Sequence, residues 1–235
     1  MTNRNLNQRR LRALCGCAIV VLAGLTASES QTIELLNGKN LDGWKFLQPA
    51  ERSHWTLGKA ELNPSDPATL KVSGEGNELI NPQPHGIDIY TTNEFGDCRL
   101  ELELMVAKGS NSGVFMMRNY EVQILDSYGK KEMGTGDMGA IYGAAAPLTN
   151  ACKPAGEWQK LVVEFRAPRF NGEGLKVTNA MFVSITLNGT LLQKNVEVKN
   201  PTTGTSRKER PKDPLSLQGN HGPVAFRNIR ISSLN

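Results

Sequence analysis

Glu121 and Gln123 stand two residues apart in Glu121-Val122-Gln123-Ile124-Leu125, a run that alternates polar and apolar side chains. In a strand this puts Glu121 and Gln123 on one face and Val122 and Ile124 on the other. A carboxylate and an amide then sit side by side with Cβ atoms ~6–7 Å apart, a spacing suited to a pair of sugar hydroxyls. Val114-Phe115-Met116-Met117-Arg118 reads as the preceding strand, closed by Arg118, with Asn119 and Tyr120 between the two. Asp126 ends the second strand, where a glycine-rich loop begins. A guanidinium fork, a carboxylate and an amide gathered at strand ends suit recognition of a polyhydroxylated ligand. A surface ion pair between Arg118 and Glu121 on a solvated sheet accounts for the same residues without any ligand.

Other reactive side chains are few. His54 precedes Trp55 in an early strand, His85 sits in the turn Asn81-Pro-Gln-Pro-His-Gly86, and His221 lies in the loop Gly219-Asn-His-Gly222 ahead of the last strands. Imidazole titrates near neutrality, so His221 can serve as acid, base or neutral donor. Ser112 lacks the Gly-x-Ser-x-Gly surround of a nucleophile elbow. Lys153 can hold a substrate oxygen or simply cover a loop, and Trp158 can be core or a sugar platform; Trp44 and Trp55 read as core. Two-carboxylate glycoside cleavage needs carboxyl groups ~5–5.5 Å or ~6.5–9.5 Å apart. The neighbour of Glu121 on its face is an amide, which cannot take the second role.

Alternating strands are what must position these groups. Arg99 to Val106 places Leu100, Leu102, Leu104 and Val106 on one face, with Glu101 and Glu103 on a charged outer face. Gln159 to Phe165 and Ala180 to Leu187 repeat the pattern, and Leu187-Asn188-Gly189-Thr190 signals a two-residue hairpin, which also accounts for its glycosylation sequon. Short strands separated by Gly, Pro and Asn, with no long amphipathic helix, predict an all-β sandwich. Residues 199–213 form a polar, mobile insertion, and the basic run Arg207 to Lys212 within it reads as a solvated loop.

Residues 1–28 read as a signal peptide: Arg4, Arg9, Arg10 and Arg12, then an apolar run from Ala13 to Leu25, then Thr26-Ala27-Ser28. That run is short for a permanent span, so cleavage is expected over an uncleaved anchor, leaving no membrane span and a single domain over 29–235, exported to the periplasm or beyond the cell. Leu25 stands where a lipoprotein would carry its cysteine. The whole chain carries 27 Lys plus Arg against 23 Asp plus Glu. With the four leader arginines gone the charge is zero, and no basic stripe remains to track phosphates, which argues against nucleic acid. Of the cysteines, Cys98 falls in phase with Leu100 and Leu102; two free thiols, Cys98 and Cys152, are expected.

An ordered set of segments resembles the 3-keto-disaccharide hydrolase domain family: Leu35-Leu-Asn-Gly-Lys-Asn-Leu-Asp-Gly-Trp44, Asn111-Ser-Gly-Val-Phe115, Tyr120-Glu-Val-Gln-Ile-Leu-Asp126, Gly139-Ala-Ile-Tyr-Gly143, Lys153-Pro-Ala-Gly-Glu-Trp158 and Leu217-Gln-Gly-Asn-His-Gly222. The resemblance implies a concanavalin A-like two-sheet jelly roll that cleaves 3-keto-glycosides, the alternative being a lectin-like module that only binds them. It brings His221 into the site and adds Asn111, Tyr142 and Gln218 to the substrate contacts. A ketone at C3 acidifies the C2 proton, so a single base can drive elimination at C1 followed by hydration. Glu121 or His221 is the expected base, Arg118 and Lys153 the oxyanion stabilisers, and Gln123 and Asp126 the hydroxyl partners. A calcium or magnesium ion held by Glu121, Asp126 and His221 is the alternative stabiliser.

Overall fold

The computed structural model describes Met1, residues 31–202 and residues 207–234. The signal-peptide reading therefore lies outside the described residues, apart from Met1. Two antiparallel sheets pack face to face. The larger is 8-stranded: β1 (Ile33–Glu34), β3 (Thr56–Leu62), β4 (Leu70–Asn81), β6 (Cys98–Val106), β9 (Gln159–Arg166), β12 (Ala180–Leu187), β13 (Thr190–Val198) and β15 (Val224–Ser233). The smaller has five strands, in the order β2 (Trp44–Phe46), β5 (Ile89–Phe95), β14 (Asp213–Leu217), β7 (Asn111–Met116) and β8 (Tyr120–Leu125). A short ribbon, β10 (Arg169–Phe170) with β11 (Lys176–Thr178), completes the strands. The all-β sandwich expected from the alternation is what forms.

The core lies between the sheets and is built by one face of each strand. Leu100, Leu102 and Leu104 of β6 meet Val114, Met116, Val122 and Ile124 of β7 and β8. Tyr120, Phe165 and Phe182 run across it as an aromatic chain with centroids 5.4 and 5.1 Å apart. Cys98 belongs to this layer, burial pushes its thiol up to about 12, and both Cys98 and Cys152 are free.

The opposite face of the large sheet carries paired charge. Arg99 meets Glu164 at 2.7 Å, Lys160 meets Glu101 at 3.1 Å and Arg227 meets Glu103 at 2.7 Å. Arg227 also lies 4.1 Å above the Trp158 ring, which makes Trp158 part of this outer layer. The polar side of β6 is thus a solvated charge lattice.

Two tight turns shape the hairpins. Leu187 pairs with Thr190 across Asn188 and Gly189, both at positive φ (52° and 81°), as the Asn-Gly signal predicts. The β7–β8 turn differs from expectation. Arg118 does not close a strand: β7 ends at Met116, and Met117 and Arg118 are both left-handed, at φ 53° and 54°. Non-glycine residues take that conformation at ~1–3 kcal/mol each. Met117 is buried in the core and the Asn119 N–H donates to Met116 O at 3.1 Å, which holds the turn closed.

Candidate functional site

The outer face of the five-stranded sheet is hollowed into a cavity of about 360 Å³, within the range of small-molecule sites. Its floor comes from β7, β8 and β14, through Asn111, Phe115, Glu121, Gln123 and Ser216. Glu121 and Gln123 share this face while Val122 and Ile124 enter the core, as the alternation requires. Gly113 makes the floor possible. A Cβ there would collide with Glu121 Oε1, so the glycine lets the carboxylate lie where it does.

Three covering segments complete the walls. The β7–β8 turn swings Arg118 over the cavity, its guanidinium 4.2 Å above the Tyr90 ring and without an ion-pair partner among the described residues. The loop after β14 supplies Gln218, Asn220 and His221. Its path is fixed by the buried amide of Asn81, which donates to Gly219 O and Gly222 O at 3.1 Å each. Within the loop, Nδ1 of His221 faces Asn220 Oδ1. The third segment is the stretch ahead of β14. Thr202 Oγ1 accepts the Glu121 N–H at 2.6 Å, and Arg207 lines the cavity while bonded to Asp213 at 3.0 Å. Arg207 thus departs from the reading of Arg207 to Lys212 as a solvated loop, whereas Lys208 and Arg210 to Lys212 are exposed as expected. Glu209 is likewise engaged, with Lys176 at 2.7 Å and with the Tyr120 hydroxyl. Residues 203–206, to which the expected mobility of the insertion also applied, lie outside the described residues.

The electrostatics centre on Glu121. Glu121 is 5% exposed, and its carboxylate receives no hydrogen bond from the described residues. Burial, with the charge of Asp88 second, pushes its pKa up to about 7. Asp88 precedes β5 and lines the same cavity. Burial raises its pKa too, opposed by the N–H groups of Gly219 and Asn220 and the charges of His221 and Arg118. Arg118 is pushed down by burial and by Arg207 nearby. Two polar atoms in the walls, Arg207 Nε and Gln218 Oε1, are buried and have no hydrogen-bond partner among the described residues. On the floor, Gln123 Nε2 donates to Asn111 Oδ1 at 2.8 Å. A carboxyl group poised at neutrality, two guanidinium groups and unsatisfied polar atoms suit a polar ligand that develops negative charge.

Seven of the nine candidates from the sequence line this one cavity: Asn111, Arg118, Glu121, Gln123, Tyr142, Gln218 and His221. Asp126 and Lys153 do not. The Asp126 carboxylate accepts the Gly109 N–H at 2.9 Å, and the Lys153 ammonium donates to Trp158 O at 3.0 Å. With Asp126 elsewhere, the metal set of Glu121, Asp126 and His221 is not assembled, and no other trio of His, Cys, Asp or Glu among the described residues is placed to hold an ion. Trp158 lies on the other sheet and is no platform here. Asp88 and Arg207 are the functional candidates that sequence reasoning missed. Neither has a local signal; the one available clue was the acid-interrupted basic run containing Arg207.

Comparison with known proteins agrees with this architecture. A 3-keto-disaccharide hydrolase of Bacteroides thetaiotaomicron is 23% identical over 154 residues, covering 54% of this chain and 50% of that protein. The chain therefore spans about half the length of this curated relative. A crystal structure of a candidate glycosyl hydrolase from Parabacteroides distasonis superposes with a TM-score of 0.66 at 26% identity, over 86% of this chain and 84% of that one. A second from the same organism gives 0.58 at 17% identity over 87% and 94%, a likeness of fold. The model of the 3-keto-alpha-glucoside-1,2-lyase-like domain matches residues 31–232, almost the whole described chain. On that match the protein belongs to the 3-keto-alpha-glucoside-1,2-lyase-like domain family.

Proposed function

We propose that this protein is an exported enzyme that cleaves the glycosidic bond of 3-keto-glycosides, 3-keto-disaccharides among them, by elimination across C1–C2 followed by hydration. The observation that carries the reading is Glu121: a nearly buried carboxyl group without a hydrogen-bond partner among the described residues, its pKa pushed up to about 7, opening onto a cavity that holds two guanidinium groups. The words lyase and hydrolase in the names of the family and of the Bacteroides relative correspond to the two halves of this sequence.

The Glu121 carboxylate takes the proton from C2, and the C2–H electrons pass into an enolate on the C3 oxygen. Arg118 and Arg207 stabilise that oxyanion; their geometry exists before the charge does, so no reorganisation is needed. The enolate collapses, the bond from C1 to the leaving oxygen breaks, and protonated His221 gives that oxygen its proton. The Asn220 side chain keeps the His221 ring oriented through Nδ1, leaving Nε2 for the transfer. Water then adds its oxygen to C1 of the 1,2-ene, C2 recovers a proton from Glu121, and the water's other proton restores His221. The net reaction is hydrolysis. Gln123, Asn111 and Gln218 hold ring hydroxyls, and Asp88 keeps Glu121 basic.

The test is incubation of the purified protein with 3-keto-trehalose or an alkyl 3-keto-glucoside. Release of 3-keto-glucose that is lost in Glu121→Gln is the expected result. Tight binding without turnover by the unaltered protein overturns the enzyme reading in favour of a lectin-like one.

A further inference from the structure

A second hollow, of about 500 Å³, adjoins the candidate site. The two share Asn111, Asn220 and His221, so these residues form the wall between them. Its far side is made by Ala68, Pro84, Pro223, His85 and Lys108. Two prolines and an alanine give it an apolar lining, of which Ala68 is exposed and Pro84 half-buried, and a lysine and a histidine complete it. That mixture matches the face and edge of a pyranose ring, which is apolar across its C–H face and hydroxylated at its rim.

The hollow is built rather than incidental. Asn81 is fully buried, and its amide donates to Gln83 O, Gly219 O and Gly222 O, all at 3.1 Å. One side chain thus ties the His85 turn to the His221 loop. Gly86 and Gly222 allow the close approach: a Cβ on Gly86 would lie 3.0 Å from Gly219 O, and one on Gly222 2.6 Å from Ser110 Oγ. His85 itself is held at φ 64°, a left-handed conformation that a non-glycine residue keeps only where its surroundings impose it. Two loops locked to one buried amide keep both hollows at a set distance on either side of His221.

The geometry points to this second hollow as the subsite for the leaving sugar of a disaccharide, with the glycosidic oxygen crossing the wall at His221. The inference rests on the reaction proposed above and deepens it. The 3-keto ring occupies the Glu121 cavity, and the second ring lies on Pro84 and Pro223 within reach of Lys108 and His85.

Binding separates this inference from the chemistry. The Glu121→Gln full chain is titrated calorimetrically with a 3-keto-disaccharide and with the methyl 3-keto-glucoside of the same configuration, while the unaltered chain is assayed for sugar release. The disaccharide is expected to bind about tenfold more tightly or better, the worth of one or two hydrogen bonds plus an apolar face. Adding Ala68→Trp, which fills the hollow from an exposed position, or Lys108→Ala with His85→Gly, is expected to cut that ratio about fivefold or more. Equal affinities, no binding of either sugar, or a ratio that neither change alters overturns the subsite. An intact ratio with no sugar release by the unaltered chain refutes the reaction and leaves the subsite standing.

Discussion

Glu101 and Glu121 are both strand carboxylates on the polar side of an alternating segment, one on each outer face of the sandwich, yet their environments are opposite. Burial pushes Glu101 up, but hydrogen bonds from Lys160 and Arg99 outweigh it and hold it below the usual range. Glu121 has no such donors among the described residues, and burial beside Asp88 carries it up to about 7. The difference lies in what covers each face. The large sheet is open, so charges on adjacent strands such as Arg99 and Glu164, or Glu101 and Lys160, neutralise one another in water. The small sheet is roofed by the Arg118 turn, by Thr202 and Arg207, and by the His221 loop, which cover Glu121 and leave it and Arg118 without an ion-pair partner among the described residues. Paired charge on an open face is nearly neutral for stability, whereas unpaired charge in a roofed hollow is a reservoir for binding and catalysis.

Exchanging the carboxylates is the most direct attack on that contrast. Glu121→Gln is expected to lower turnover of a 3-keto-glycoside about 10²–10⁴-fold, the worth of a general base, and Glu101→Gln to leave it unchanged within error. A comparable loss from Glu101→Gln would erase the distinction between the faces. Next in size is Arg118→Ala, which removes one oxyanion donor and is expected to cost about 10²-fold or more in kcat. Arg118→Gly should lose as much activity yet melt higher than Arg118→Ala, because glycine accepts the left-handed turn.

Stability against pH sharpens the same point. Glu121 binds its proton more tightly in the folded chain, at about 7 against an ordinary 4.5. Its contribution therefore favours folding at low pH, declines as pH rises from about 4.5 to about 7, and is level above. Glu121→Gln should accordingly stabilise the protein at pH 8 by up to about 3 kcal/mol and by almost nothing at pH 4, read from denaturant midpoints. Glu101 is depressed and has the opposite sign: its contribution is present at neutral pH and fades as pH falls through its folded value. The same titration of Glu121 predicts an acid limb in kcat/KM with its midpoint near 7, and the need for a protonated His221 adds a fall on the alkaline side. The smallest effect expected is Arg99→Ala, about 0–1 kcal/mol and no change in activity, since its ion pairs are exposed.

Two turns of one kind show how legible the chain was. Asn188-Gly189 announces its hairpin, because asparagine and glycine are the residues that take left-handed φ cheaply. Met117-Arg118 makes the same reversal with no such residue, and the run to Arg118 therefore reads as unbroken strand. Tertiary burial of Met117 and the stacking of Arg118 on Tyr90 hold the conformation instead. Gly113 belongs to a motif visible in the sequence, but its packing against the Glu121 carboxylate exists only once β7 and β8 pair. Asp126 and Lys153 looked equivalent to the true lining residues in sequence; their bonds to Gly109 and Trp158 turn them elsewhere.

What the amino-acid order determined alone was local. Alternation with a period of two settled the strands from Arg99 to Val106, Gln159 to Phe165 and Ala180 to Leu187, each to within a residue, and which face of β8 would be polar. Only the tertiary structure decided which polar faces meet. In the small sheet β14 pairs with both β5 and β7, strands that precede it by about a hundred residues. That pairing brings Asp88, Arg207 and His221 against Glu121. Periodicity is a relation between neighbours in the chain and can be read from them. Convergence depends on loop closure and strand order across the whole domain, which no short window of residues contains.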